Sequence, residues 1–158
     1  MNRFMQERWS WIEGTHAMRS AILDTLSDAD LTFNPGGQNM TLGALFRETG
    51  EIEYSYLQSL KIFKQDFSYR NPESGLDGSV ARLKAWYQML DDDMKATISA
   101  FSDDDLKKNI ERSSGFTVPV EMQLDIYLQA GLIFLGKATI YLKAMNKPLL
   151  PSVQEYIG

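Results

Sequence analysis

Four stretches of this chain repeat apolar residues at helical spacing, and none sustains the alternation of a strand beyond a few residues. The first runs from about Arg3 to Leu26. It places Trp9, Ile12, His16, Leu23 and Leu26 on one face, with Phe4, Trp11, Met18 and Ile22 beside them. The second starts at Thr41, whose hydroxyl suits an N-cap, and carries Ala44, Leu45, Ile52 and Tyr56 as far as Phe63. Ser79 is the cap expected for the third, in which Val80, Leu83, Trp86, Tyr87, Leu90, Met94, Ile98 and Phe101 recur. The fourth opens at Pro119, a residue suited to a first helical position, and runs to about Met145, where Asn146 and Pro148 end it. These four segments predict an all-α chain, a four-helix bundle forming a single domain over residues 1–158. The connections LSDADLTFNPGGQN and SYRNPESGLDG are long, which predicts crossover loops rather than tight hairpins. A short turn capped by Ser102, Asp103, Asp104 and Asp105 through Lys107, a loop over Arg112–Gly115, and a tail packing back through Leu149, Leu150 and Tyr156 complete the expectation.

Charge and composition narrow the function. With 16 basic and 21 acidic residues the net charge is −5, and no Lys/Arg cluster offsets it, so a nucleic-acid partner is not expected. The absence of cysteine removes disulfides, thiolate metal sites and thiol nucleophiles. The opening MNRFMQERWSW carries charges where a secretory leader needs an apolar run, and Ala130–Leu135 is far too short to span a membrane, so a cytoplasmic protein without a membrane partner is expected.

The fourth helix departs from simple amphipathicity. Its outer side reads Glu121, Asp125, Gln129, Thr139 and Lys143, interrupted by Leu132 and Gly136 with Leu128 and Leu135 alongside. Leu128, Leu132 and Leu135 are therefore candidates for a homodimer interface, the alternative being that the tail or a loop covers them. The inner side carries Gln123, Tyr127, Ala130, Phe134, Lys137 and Tyr141. An inward ammonium needs a partner, and Glu48, placed between Ala44 and Ile52, is the carboxylate expected to meet it. In the alternative, Lys137 reaches water along its alkyl stem and Glu48 lies on a solvated rim.

The run LTFNPGGQNMTLGALFRETGEIEYSYL resembles the start of the second helix in DinB/YfiT-like proteins, with Leu45, Glu48 and Glu53 at the positions of the family's leucine, histidine and glutamate. Ala130-Gly131-Leu132-Ile133-Phe134-Leu135-Gly136-Lys137 matches the family's later motif at Gly136. There Ala130 and Phe134 stand where two histidines belong, and Lys137 replaces a glutamine. The resemblance extends over nearly the whole chain and implies a bundle holding nickel or zinc on three histidines, sometimes serving transferase or isomerase chemistry. Here the three matching positions are Glu48, Ala130 and Phe134, and carbon side chains donate no electron pair to a metal. No metal and no other cofactor is therefore expected.

The remaining chemistry-bearing residues are few. His16, the only histidine, lies seven residues from both Trp9 and Leu23, where it serves either as a satisfied core residue or as a general base near Glu48. Glu51 and Glu53 read as solvated charges, and no Glu-x-x-His pair supports a di-metal carboxylate site. Asp91-Asp92-Asp93 reads as the solvated face of the third helix; neither it nor Asp103-Asp104-Asp105 has the glycine and glutamate of a calcium loop. The leading expectation is a metal-free, non-catalytic homodimer that binds a small apolar ligand in a pocket formed by Glu48, Tyr127, Ala130, Phe134, Lys137, Tyr141 and His16. The alternative is a transferase or hydrolase with a relocated site around Glu48, Lys137 and Tyr141.

Overall fold

The computed structural model describes residues 1–112 and 115–157. Among the described residues six α-helices carry the fold: α1 (Arg3–Glu7), α2 (Trp9–Asp24), α3 (Leu42–Ile62), α4 (Val80–Ala100), α5 (Val120–Ala144) and α6 (Pro151–Ile157). The four long ones form the bundle. α3 packs against α4 and α5, and α2 packs against the same two, so α2 and α3 face each other across the bundle diagonal. That arrangement explains the long connection after α2, and the one after α4, where the chain must cross the bundle to reach the next helix; the expected crossover over SYRNPESGLDG is corrected, because that segment joins α3 to the adjacent α4.

The expected caps are present. The Thr41 and Ser79 hydroxyls accept hydrogen bonds from the Ala44 and Arg82 amides, satisfying donors that a helix start leaves free. Pro119 precedes α5 as its cap, one position before the expected first turn. Left-handed residues stop two helices, Phe63 (φ 57°) after α3 and Asn146 (φ 56°) beyond α5.

Three local features differ from expectation. The first segment is two helices, broken at Arg8, and Trp11 is exposed rather than set beside the core. A hairpin precedes α5, with β1 (Asn109–Glu111) paired antiparallel to β2 (Thr117–Pro119) so that Ile110 faces Val118. Strands of three residues show too little alternation to be read from sequence. Ser113 and Ser114, within the expected loop, lie outside the described residues. In the tail, Leu149 and Leu150 pack half-buried on the core and α6 buries Val153; the Tyr156 side chain lies outside the described set.

α3 is the central helix. It buries residues on every side, among them Gly43, Thr49, Gly50, Glu51, Glu53, Ser55 and Ser59. Its small residues admit close neighbours. A Cβ on Gly50 would lie 2.4 Å from Trp86 of α4, and one on Gly43 would lie 1.9 Å from the Asp77 carbonyl oxygen.

Candidate functional site

Two adjoining features form the candidate site: a buried ionic network at the bundle centre and an open cleft between α3 and α5. The network draws a side chain from each long helix. Arg19 of α2 donates from Nη1 to both carboxylate oxygens of Glu53 on α3 (2.8 and 2.9 Å), and from Nη2 to both oxygens of Asp91 on α4 (2.7 and 2.6 Å). Its guanidinium lies 4.0 Å above the Tyr87 ring centroid. His16 Nδ1 stands 3.0 Å from Asp91, and its Nε2 stands 2.6 Å from the Tyr127 hydroxyl of α5. The Tyr127 hydroxyl also approaches Glu53 at 3.5 Å. Arg19, Glu53, His16 and Tyr127 are all buried.

Burial dominates the electrostatics. It pushes the Glu53 carboxyl up to about 7, the Arg19 charge drawing it back and Asp91 pushing it further. Burial raises Asp91 as well, again against Arg19. Desolvation, helped by the Arg19 charge, holds His16 well below 6.5 and so neutral. Desolvation alone would lower the Arg19 guanidinium, but Glu53 and Asp91 reverse it and hold the group above its ordinary range. With Nδ1 donating to Asp91, the neutral imidazole accepts at Nε2 from Tyr127.

Two sequence readings are corrected here. Glu51 and Glu53 are buried rather than solvated, because neighbours enclose α3 over most of its circumference. Asp91 is turned inward beside Tyr87 and Met94, whereas its neighbour Asp92 stays in solvent.

The cleft has a volume of about 730 Å³ and is lined by Ala44, Glu48, Ile52 and Tyr56 from α3, Ala130 from α5, and Met40, Phe67 and Arg70 from the crossover loops. Two smaller recesses adjoin it through Glu48. One of about 140 Å³ runs inward past Ile52 and Ala130 to Glu53, Tyr127 and Phe134, and another of about 180 Å³ lies between Met40, Glu48, Lys137 and Tyr141. At its inner end the space beside His16, Arg19 and Glu53 falls to about 10 Å³, enough for little more than a water molecule. The cleft therefore meets the ionic network at Glu53 and Tyr127 and leaves no room for a ligand beside His16 and Arg19. Glu51 braces the outer wall: it accepts from the Asn71 amide at 3.0 Å and pairs with Arg47 (3.4 Å) and Arg70 (3.7 Å).

The structure distributes the sequence candidates unequally. Glu48, Tyr127, Ala130, Phe134, Lys137 and Tyr141 all border the cleft or its recesses, Tyr127 also belonging to the ionic network, while His16 lies in the network behind them. Glu48 and Lys137 are both exposed and form no ion pair with each other among the described residues, so of the two readings the solvated one describes them, as two charges at the cleft mouth. Phe134 fills the core against Phe46, with ring centroids 5.1 Å apart. The Tyr141 hydroxyl donates to the Met40 carbonyl at 2.9 Å. The outer apolar face of α5 also shifts. Leu135 is 1% exposed and belongs to the core, and Leu128 and Leu132 are half-buried; Met122, Ile133 and Ile140 carry the exposed apolar surface instead, Ile133 and Ile140 at the rims of the two recesses. Sequence reasoning missed Arg19, Asp91, Arg47, Phe67 and Arg70. A signal existed for Arg19, which stands three residues after His16 and four before Leu23, a charge inside the apolar stripe of α2.

Comparison with known proteins agrees with this architecture. The family model of the DinB superfamily matches residues 12–129, and the chain belongs to that superfamily. The fold is similar to the crystal structure of YjoA, a DinB-like protein from Bacillus subtilis, at a TM-score of 0.73 and 12% identity, over 90% of this chain and 94% of that one. No curated protein matches. Among the described residues, no helix is long and apolar enough to cross a membrane.

The triple-histidine metal site that the resemblance implies does not fit this chain. At its three positions stand an exposed glutamate, a half-buried alanine and a phenylalanine packed in the core, and a lone carboxylate is a poor transition-metal ligand.

Proposed function

We propose that this DinB-superfamily chain is a metal-free binding protein that takes a small, largely apolar molecule into the cleft between α3 and α5, and that it works as a homodimer in the cytoplasm. The cleft itself carries this reading. It is large enough for a small organic ligand, its walls are mostly aliphatic and aromatic, and it opens at the position where relatives in the family's pattern would hold a metal. Glu48 and Lys137 at the mouth are free to meet polar ends of the ligand. The exposed Met122, Ile133 and Ile140 on α5 supply an apolar face for twofold association.

The test is fluorescence titration with the neutral apolar dye Nile red, alongside Ala130→Trp, which fills the cleft from α5. Saturable binding by the wild type, lost in a variant that keeps its near-ultraviolet circular dichroism, supports the reading. No binding, or equal binding by both, refutes it. Elemental analysis of the wild type is expected to give no stoichiometric nickel or zinc.

A catalytic reading has one observation in its favour: Glu48, Lys137 and Tyr141 border the same recess of about 180 Å³. In that case Glu48→Gln abolishes turnover of a bound molecule without abolishing its binding.

A further inference from the structure

We infer that Arg19 is a cation built into the chain that fills a three-helix ligand sphere of His16, Glu53 and Asp91, and that removing its side chain turns this sphere into a transition-metal site. The three residues each offer a ligand atom, and these atoms lie within 4.8 Å of one another at the bundle centre. Nitrogen and carboxylate oxygen from three separate helices form a donor set that zinc and cobalt accept. None of the three occupies a position of the family's histidine motif. The site is thus displaced from the cleft, behind Tyr127 and Phe134.

A guanidinium holds this sphere. Arg19 spends two N–H groups on each carboxylate, binding all four oxygens at 2.6–2.9 Å. Its central carbon lies 4.0 Å from the Tyr87 ring centroid, and the side chain is 3% exposed. Two carboxylates converging in a buried site demand a compensating cation. Many bundles recruit one from solution; here α2 carries it, so the cross-link between α2, α3 and α4 forms with the chain itself. The guanidinium also blocks an ion, because every carboxylate oxygen that would bind one is already accepting from Arg19.

The geometry bounds what removal of Arg19 does. Donor atoms around a tetrahedral zinc stand roughly 3.4 Å apart, so the triad has to contract by about an ångström at its widest, within reach of small side-chain rotations once Arg19 no longer separates the acids. The loss of the Arg19 side chain frees the space for that movement and leaves one position open for water.

The inference rests on the metal-free reading, and the experiment separates the two. Wild type, Arg19→Ala, and Arg19→Ala combined with His16→Gln or Asp91→Asn are titrated with cobalt(II), read by its visible d–d absorption, and with zinc(II), read by thermal shift. Wild type is expected to be silent. Arg19→Ala is expected to bind one ion per chain and to gain thermal stability with zinc, and either second substitution is expected to weaken binding by about 10-fold or more. If Arg19→Ala is unfolded in chelator, recovery of helical circular dichroism on adding stoichiometric zinc supports the inference, and failure to recover overturns it. A folded Arg19→Ala that binds no ion, or binds one indifferently to His16 and Asp91, also overturns it. Stoichiometric metal on the wild type that survives His16→Gln refutes the metal-free reading alone, and the comparison of Arg19→Ala with its double variants then still decides the inference.

Discussion

Replacing Gly50 by alanine tests how closely α3 and α4 are packed. The added Cβ would stand 2.4 Å from Trp86 Cζ3 and 2.7 Å from Cη2, where ordinary contact begins at 3.4 Å. About 1 Å of displacement is therefore required, and a rigid indole rather than a flexible chain end has to supply it. The indole is poorly placed to move. It is 7% exposed and lies against Tyr87, whose hydroxyl donates to the Phe46 carbonyl of α3. Overpacking of this kind costs about 1–3 kcal/mol, while alanine in place of glycine inside a helix returns up to about 1 kcal/mol. The expected net loss is roughly 1–2 kcal/mol, a fall in Tm of about 2–8 °C for a chain of this size. Gly14 of α2 is the control, since a Cβ there meets nothing within 4 Å; Gly14→Ala is expected to gain up to about 1 kcal/mol. Urea titration followed by tryptophan fluorescence and by circular dichroism reads both. Trp86→Phe in the Gly50→Ala background is expected to recover part of the loss by opening space. If Gly50→Ala is as stable as Gly14→Ala, the close approach is wrong.

Three further outcomes are expected. In the fold, His16 is held well below 6.5 by burial, so acidification through 6.5 protonates the unfolded chain first and lowers stability. Glu53, pushed by burial from 4.5 to about 7, keeps a proton that the unfolded chain has released, so its contribution grows as the pH falls through that window. The two slopes oppose; His16→Gln is therefore expected to gain stability relative to wild type between about pH 6.5 and 5, by about one proton's slope, in urea titrations across that range. Thr41→Ala removes the cap of α3 and is expected to cost about 1 kcal/mol by the same titration, while Thr41→Ser costs little. For self-association, light scattering of Ile133→Glu combined with Ile140→Glu is expected to give a monomer mass where the wild type gives a dimer, and an unchanged mass removes that face as the interface.

Local signals in the sequence located most of the fold. Thr41 and Ser79 cap the helices expected of them, and Asn146 ends α5 in a left-handed conformation that asparagine tolerates. The break at Arg8 escaped because the apolar spacing runs on across it from Phe4 to Trp9 and Ile12. The site was harder to read. Assigning faces presumes that a helix has a broad outside, and α3 has little, so Glu53 looked solvated while Glu48 was left between core and rim. A buried acid is recognisable only through its partner, and Arg19 and Asp91 lie 34 and 38 residues from Glu53. Spacing along one helix cannot connect them. The cleft wall is likewise built by Phe67 and Arg70, from a loop with no periodic pattern to place it.

That wall is fastened at both ends. Next to α3, the Gln65 amide donates to the Glu111 carbonyl at 2.7 Å and the Glu111 amide donates to Phe63 at 3.0 Å, stitching the segment to the hairpin. Farther along, the Asn71 amide is moored to Glu51 and the Asn71 carbonyl accepts from Arg47. Between the moorings only five residues, 66–70, span the opening, and Phe67, Tyr69 and Arg70 lean on Tyr56, Tyr54 and Glu51 of α3. So short a strap has no hinge with which to swing aside. A molecule of the kind proposed for the cleft would pass by the turning of the exposed Phe67 ring and Arg70 side chain, motions of exposed side chains that run on a picosecond-to-nanosecond clock rather than on that of a swinging flap.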